Sequence, residues 1–118
     1  MNIKRFSELV GVSAYTLRYY EKVGLLRNIK RDASGHRFYT QSDIEWVRFI
    51  VRLKDTGMEL EGIKQYADLR EVGDGTLQQR KQLLEQHRSK LKSDIEFQLA
   101  HLKALDGKIA FYEEKISS

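Results

Sequence analysis

Tyr15, Thr16, Arg18 and Tyr19 put a guanidinium and three hydroxyls on one short stretch of chain. A guanidinium offers a planar fork of N–H donors that fits a phosphate or the O6/N7 edge of guanine. Hydroxyls beside it can donate to phosphate oxygens or to base edges. Arg18 is expected to contact bases. The alternative is an ion pair with Glu21 or plain solvation. Tyr15, Thr16 and Tyr19 are expected at phosphates or bases, and Ala14 starts the same stretch. A second group is Gly35-His36-Arg37-Phe38-Tyr39. Strand alternation would put Arg37 and Tyr39 on one face, both toward phosphate, with Phe38 on the other. His36 is a further contact candidate or a solvated turn residue. Lys4 is a candidate for holding a phosphate, as are Arg5, Lys30, Arg31 and Lys54. No nucleophile with a base, no phosphate-cradling glycine loop and no metal-ligand spacing appears, so no catalytic residue, metal or cofactor is expected.

These side chains need elements to hold them. A helix is expected over about Lys4–Val10, with Phe6, Leu9 and Val10 as its apolar face. Gly11 makes a tight turn, and Ser13 is a good N-cap for a second helix over about Ala14–Val23. Leu17, Tyr20 and Val23 should pack inward, and Gly24 should end that helix. Helix, glycine turn and capped helix make up a helix-turn-helix, whose second helix enters the DNA major groove. Leu25–Tyr39 alternates basic and apolar residues around Asp32-Ala33-Ser34-Gly35, which predicts a small β-hairpin, or wing. Thr40 or Ser42 should cap a third helix, with Ile44, Val47, Ile50, Val51 and Leu53 at helical spacing. Thr56-Gly57 stops it. A fourth helix follows over Glu61–Arg70, with Ile63, Tyr66, Ala67 and Leu69 apolar. Gly73-Asp74-Gly75 breaks the chain, and Thr76 is a candidate cap. Trp46, Phe49 and Tyr66 read as core or as a docking surface for a helix. A small effector pocket is the alternative.

From Leu77 onward the pattern is different. Leu84, Arg88, Leu91, Ile95, Gln98, Leu102, Leu105, Ile109, Tyr112 and Ile116 alternate by four and three residues, which is a coiled-coil seam. Arg88 and Gln98 interrupt it and are expected to set register. A rod of about 60 Å at 1.5 Å per residue cannot bury its stripe on a domain this small. A second copy is the simplest partner; a helix folded back on itself is the alternative. His87 and His101 lie two heptads apart and read as solvated helix surface.

Composition agrees with a binding protein. The 118 residues carry net charge +4, with no proline and no cysteine. Residues 1–57 hold 11 Lys/Arg against 6 Asp/Glu, and the remainder 10 against 11. The positive excess therefore lies with the helix-turn-helix, as attraction to phosphates would arrange it. Absent cysteine excludes disulfides, thiolate metal sites and thiol sensing. No signal peptide or membrane span is read, so a cytoplasmic protein is expected.

Ser13 to Glu21, Val23-Gly24-Leu25-Leu26, Gly35 to Tyr39, Asp43-Ile44 and Thr56-Gly57-Met58 together resemble the MerR family of transcription regulators. The resemblance implies an all-α fold with a small β-hairpin wing: a winged helix-turn-helix over residues 1–75, then a long antiparallel coiled-coil dimerisation helix over residues 76–118. Leu84, Leu91, Ile95, Leu102, Leu105, Ile109, Tyr112 and Ile116 would form the homodimer. It further implies double-stranded DNA as partner, with a palindromic operator in an overlong promoter spacer. Bending and undertwisting that spacer would let RNA polymerase engage both promoter elements. Ile44 to Ile50 and Gly75 to His87 resemble the thiol-based, aldehyde-responsive branch, yet Arg52 stands where that branch carries its cysteine. A sulfur-based response does not carry over. The reading from another class is an architectural, excisionase-like DNA-bending protein with no effector, which would lack the long seam.

Overall fold

A computed structural model describes residues Met1–Ser118. Five α-helices and a two-stranded hairpin follow one another: α1 Ile3–Val10, α2 Ala14–Lys22, β1 Lys30–Arg31, β2 Arg37–Phe38, α3 Gln41–Asp55, α4 Leu60–Val72 and α5 Leu77–Ser117, with a 3₁₀ turn at Asp74–Thr76 before α5.

The caps explain most of the boundaries. The Asn2 side chain accepts from Arg5 N at the start of α1. Gly11 takes φ 69°, left-handed backbone that a side chain would strain. That turn swings α2 away from α1, and the Ser7 hydroxyl donates to Val12 O at 2.6 Å across it. Ser13 caps α2, accepting from Thr16 N at 3.1 Å. Thr40, rather than Ser42, caps α3 in a reciprocal box. Thr40 Oγ1 accepts from Asp43 N at 3.3 Å, and the Asp43 carboxylate accepts from Thr40 N at 2.9 Å. Thr76 does not cap α5. It is buried in the 3₁₀ turn, and its hydroxyl reaches back to the carbonyls of Leu69 and Gly73.

Met1–Arg80 form one compact unit and Lys81–Ser118 a second. The first unit thus extends beyond residue 75 to take in the 3₁₀ turn and the first turn of α5. Its core is Phe6, Leu17, Leu25, Leu26, Val47 and Ile50, all essentially without solvent contact. The wing is shorter than Leu25–Tyr39 suggests. Leu25 and Leu26 belong to the core, and only Lys30↔Phe38 and Arg31↔Arg37 pair as strands. Trp46 Nε1 donates to Leu25 O at 2.7 Å, tying this segment to α3. Arg27 pairs with Asp68 and the Asn28 amide bonds the Glu71 carboxylate, so α4 holds the segment leading into the wing.

In the second unit α5 is an uninterrupted helix with no buried residue. Ile95, Leu102, Leu105, Ile109, Tyr112 and Ile116 are each at least half exposed, while Leu84 and Leu91 are half-buried. An apolar stripe therefore lies open along the single chain. No helix is long and apolar enough to cross a membrane.

Candidate nucleic-acid interface

Helix α2 turns Leu17 and Tyr20 into the core, and this fixes what its other face presents. Tyr15 is 81% exposed, Tyr19 is 40% exposed, and Arg18 is exposed between them. Tyr15, Arg18, Tyr19, Lys22 and Val23 line an open groove of about 580 Å³. On the other side of Arg18 a larger groove of about 810 Å³ separates α2 from the wing. Its charged lining is Arg18, Lys22, Arg31 and Arg37 against one carboxylate, Glu21. Four fixed cations facing one acid make a surface suited to a polyanion.

Glu21 is not the partner of Arg18. Its carboxylate accepts from Arg37 Nε at 3.0 Å, joining the return strand of the wing to α2. Arg18 is left without an ion pair and lines both grooves. The wing tip is tied by its own polar groups. The Asp32 carboxylate accepts from the N–H groups of Ser34 and His36 at 2.9 and 3.0 Å. Arg31 Nη1 donates to Gly35 O at 2.8 Å. These bonds fix the angle at which Arg31, His36 and Arg37 face the groove.

Tyr39 is more buried than a surface contact residue. It lies one residue beyond β2, and it lines the groove with Arg37 while Phe38 does not. Its ring is 4% exposed and stacks on Phe6 with centroids 4.4 Å apart. Burial, then the Glu21 carboxylate, raise its hydroxyl pKa above the usual 10.0, and the Arg37 and Arg18 guanidiniums only partly offset this. Tyr39 is largely a core residue, yet it still lines the floor of the groove beside Arg37.

The remaining candidates divide plainly. Arg18, His36 and Arg37 are brought together around one groove, with Tyr15 and Tyr19 on the adjoining one. Lys4, Ala14 and Thr16 line neither, and the Thr16 hydroxyl is engaged by Ser13 at 3.0 Å. Lys22 lines both grooves and was missed. Its signal was its place four residues after Arg18, which puts both on one face of α2. Arg52 is exposed on α3 and, with Val10, Arg48, Val51, Asp55 and Thr56, lines a separate shallow cavity.

Known proteins resemble this chain in sequence and fold. Residues 1–69 match the model of the MerR HTH family regulatory proteins, and residues 44–108 match the MerR DNA-binding model. An HTH-type transcriptional regulator of Haemophilus influenzae, itself uncharacterised, is 41% identical over 108 residues, covering 92% of this chain and 80% of that protein. A MerR family regulator structure from Listeria monocytogenes superposes with a TM-score of 0.90 at 39% identity, covering 96% of this chain and 86% of that one. HiNmlR, described as a MerR family regulator lacking the sensor domain and bound to promoter DNA, superposes at 0.85 and 39% identity, covering 96% and 90%.

Proposed function

The chain belongs to the MerR family of DNA-binding transcription regulators, and from that premise we propose that it acts as a homodimer on a palindromic operator lying in an overlong promoter spacer. The observation that carries this reading is the cationic groove between α2 and the wing, with Arg18, which forms no ion pair, on its wall. Each copy would set α2 in a major groove, Arg18 on a base edge and the wing cations on phosphates. Tyr15 and Tyr19 would reach the flanking backbone. The open stripe of α5 supports pairing with a second copy, which would present two α2 helices to two half-sites. Antiparallel pairing through Leu84 to Ile116 gives such a dimer its two-fold axis. The binding of HiNmlR to promoter DNA supports the same target for this chain.

Regulation would then work through DNA shape. A dimer of fixed half-site separation bends and undertwists the spacer it holds, so RNA polymerase meets the two promoter elements in workable register without touching the protein. No enzymatic step is involved.

The test is to map the operator across the genome and footprint it. Two protected half-sites related by a dyad, lying between widely spaced promoter elements, are the expected result. Protection without a dyad, or scattered away from promoters, would favour an architectural DNA-bending protein and contradict the proposal.

A further inference from the structure

Away from the α2–wing groove, α3, α4 and the first turn of α5 flank a second, open feature. Trp46, Phe49 and Tyr66 form a three-ring cluster with centroid separations of 5.8, 6.4 and 5.4 Å. The Arg70 guanidinium lies over the Trp46 ring at 4.3 Å from its centroid. A cavity of about 220 Å³ opens here, lined by Ser42, Glu45, these three rings, Arg70 and Arg80. None of these residues lines the α2–wing groove.

Arg80 is the unusual member. It donates from Nη2 to Gly73 O at 3.1 Å, but its Nε is buried with no acceptor. A buried donor left unmatched is costly, and it calls for an acceptor. Neither Arg70 nor Arg80 forms an ion pair with any acid. Two guanidiniums thus face the cavity against a single carboxylate, Glu45. Aromatic walls with spare guanidinium donors suit a flat ring that bears a negative charge. The volume lies below the roughly 300 Å³ lower end for drug-sized ligands, which suits a one-ring occupant.

We propose that this cavity is a binding site for a small one-ring aromatic carboxylate. The ring lies against Trp46, Phe49 and Tyr66, and the carboxylate accepts from Arg80 and Arg70. Such a ligand would fasten α3 and α4 to the start of α5, giving the protein an effector site within residues 1–80. It requires no thiol.

Trp46 is the sole tryptophan of the chain, so its fluorescence reports the cavity directly. The full-length protein is titrated with benzoate, and with benzamide and benzylamine as its neutral and cationic counterparts. Benzoate is expected to give a saturable change, with the other two at least about tenfold weaker. Arg80→Met, which keeps an apolar stem, should weaken benzoate at least about tenfold. Arg70→Gln, at an exposed side chain that makes no fold-tying hydrogen bond, should also weaken it and keeps the test readable should Arg80→Met unfold. No saturable change with benzoate, equal affinity for benzylamine, or undiminished benzoate binding in a folded variant would overturn the proposal.

Discussion

Lys22 and Arg18 share one face of α2, yet their chemistry assigns them different tasks. A flexible ammonium neutralises a phosphate without reading a base, whereas a guanidinium fork can discriminate guanine. Lys22→Ala should therefore weaken binding about equally on operator and unrelated DNA. It should also lower the salt slope of log K by about one per contact, hence about two per dimer. Titrations of both duplexes at several salt concentrations check this. Tyr39 gives a pH prediction. Its folded pKa lies above the unfolded 10.0, so above about pH 10 the folded state retains a proton that the unfolded state releases. Stability is then fully present below that pH and falls as pH rises through it. Urea midpoints should drop less in Tyr39→Phe than in wild type on going from about pH 8 to pH 11. The place of Arg18 and Arg37 on exposed basic surface and the Ser13 cap were legible from residue type and spacing alone. The burial of the Tyr39 ring was not, because its stacking on Phe6 joins residues far apart in the chain.

At the scale of elements, local chemistry accounts for most of the architecture. The Gly11 turn, the Ser13 and Thr40 caps and the Thr56-Gly57 stop set the helix ends by bonds that each residue makes with near neighbours. What local chemistry cannot supply is the fate of a basic and apolar mixture such as Leu25–Lys30. There the Trp46 bond to Leu25 O and the α4 contacts to Arg27 and Asn28 draw the segment into the core and shorten the hairpin. Thr76 was misjudged for a similar reason, since its hydroxyl serves carbonyls of the preceding turn. Helix α5 carries one weak point of its own. Gly107 sits opposite the seam, between Leu105 and Ile109, with open space where a Cβ would lie. Gly107→Ala should stabilise the helix by roughly 0.5–1 kcal/mol. Thermal unfolding followed at 222 nm should show the higher Tm.

For the whole molecule, one chain offers a cationic groove and an apolar stripe that stands exposed along α5. The proposed pairing of two copies through the stripe would convert two modest contacts into one firm one, because the second half-site would then be met at high effective concentration. Leu102→Asp places a charge in the seam. It should leave the protein monomeric by sedimentation at micromolar concentration. The near-UV signal of Trp46, within Met1–Arg80, should be unchanged, and operator affinity should fall by about 100-fold or more. Heptad spacing made the stripe legible, since a seam needs only apolar residues at four and three. The aromatic cavity was half legible. Trp46, Phe49 and Tyr66 were visible as a group, but Arg70 and Arg80 join them only through the packing of three helices. The most direct measurement is the affinity of Arg18→Ala for the mapped operator against that of wild type, each compared with an unrelated duplex. Loss of a bidentate base contact worth about 1–3 kcal/mol at each half-site should bring the variant close to its non-specific affinity while it remains folded and dimeric. A folded Arg18→Ala that keeps wild-type preference for the operator would contradict the assignment of the α2–wing groove as the DNA-reading surface.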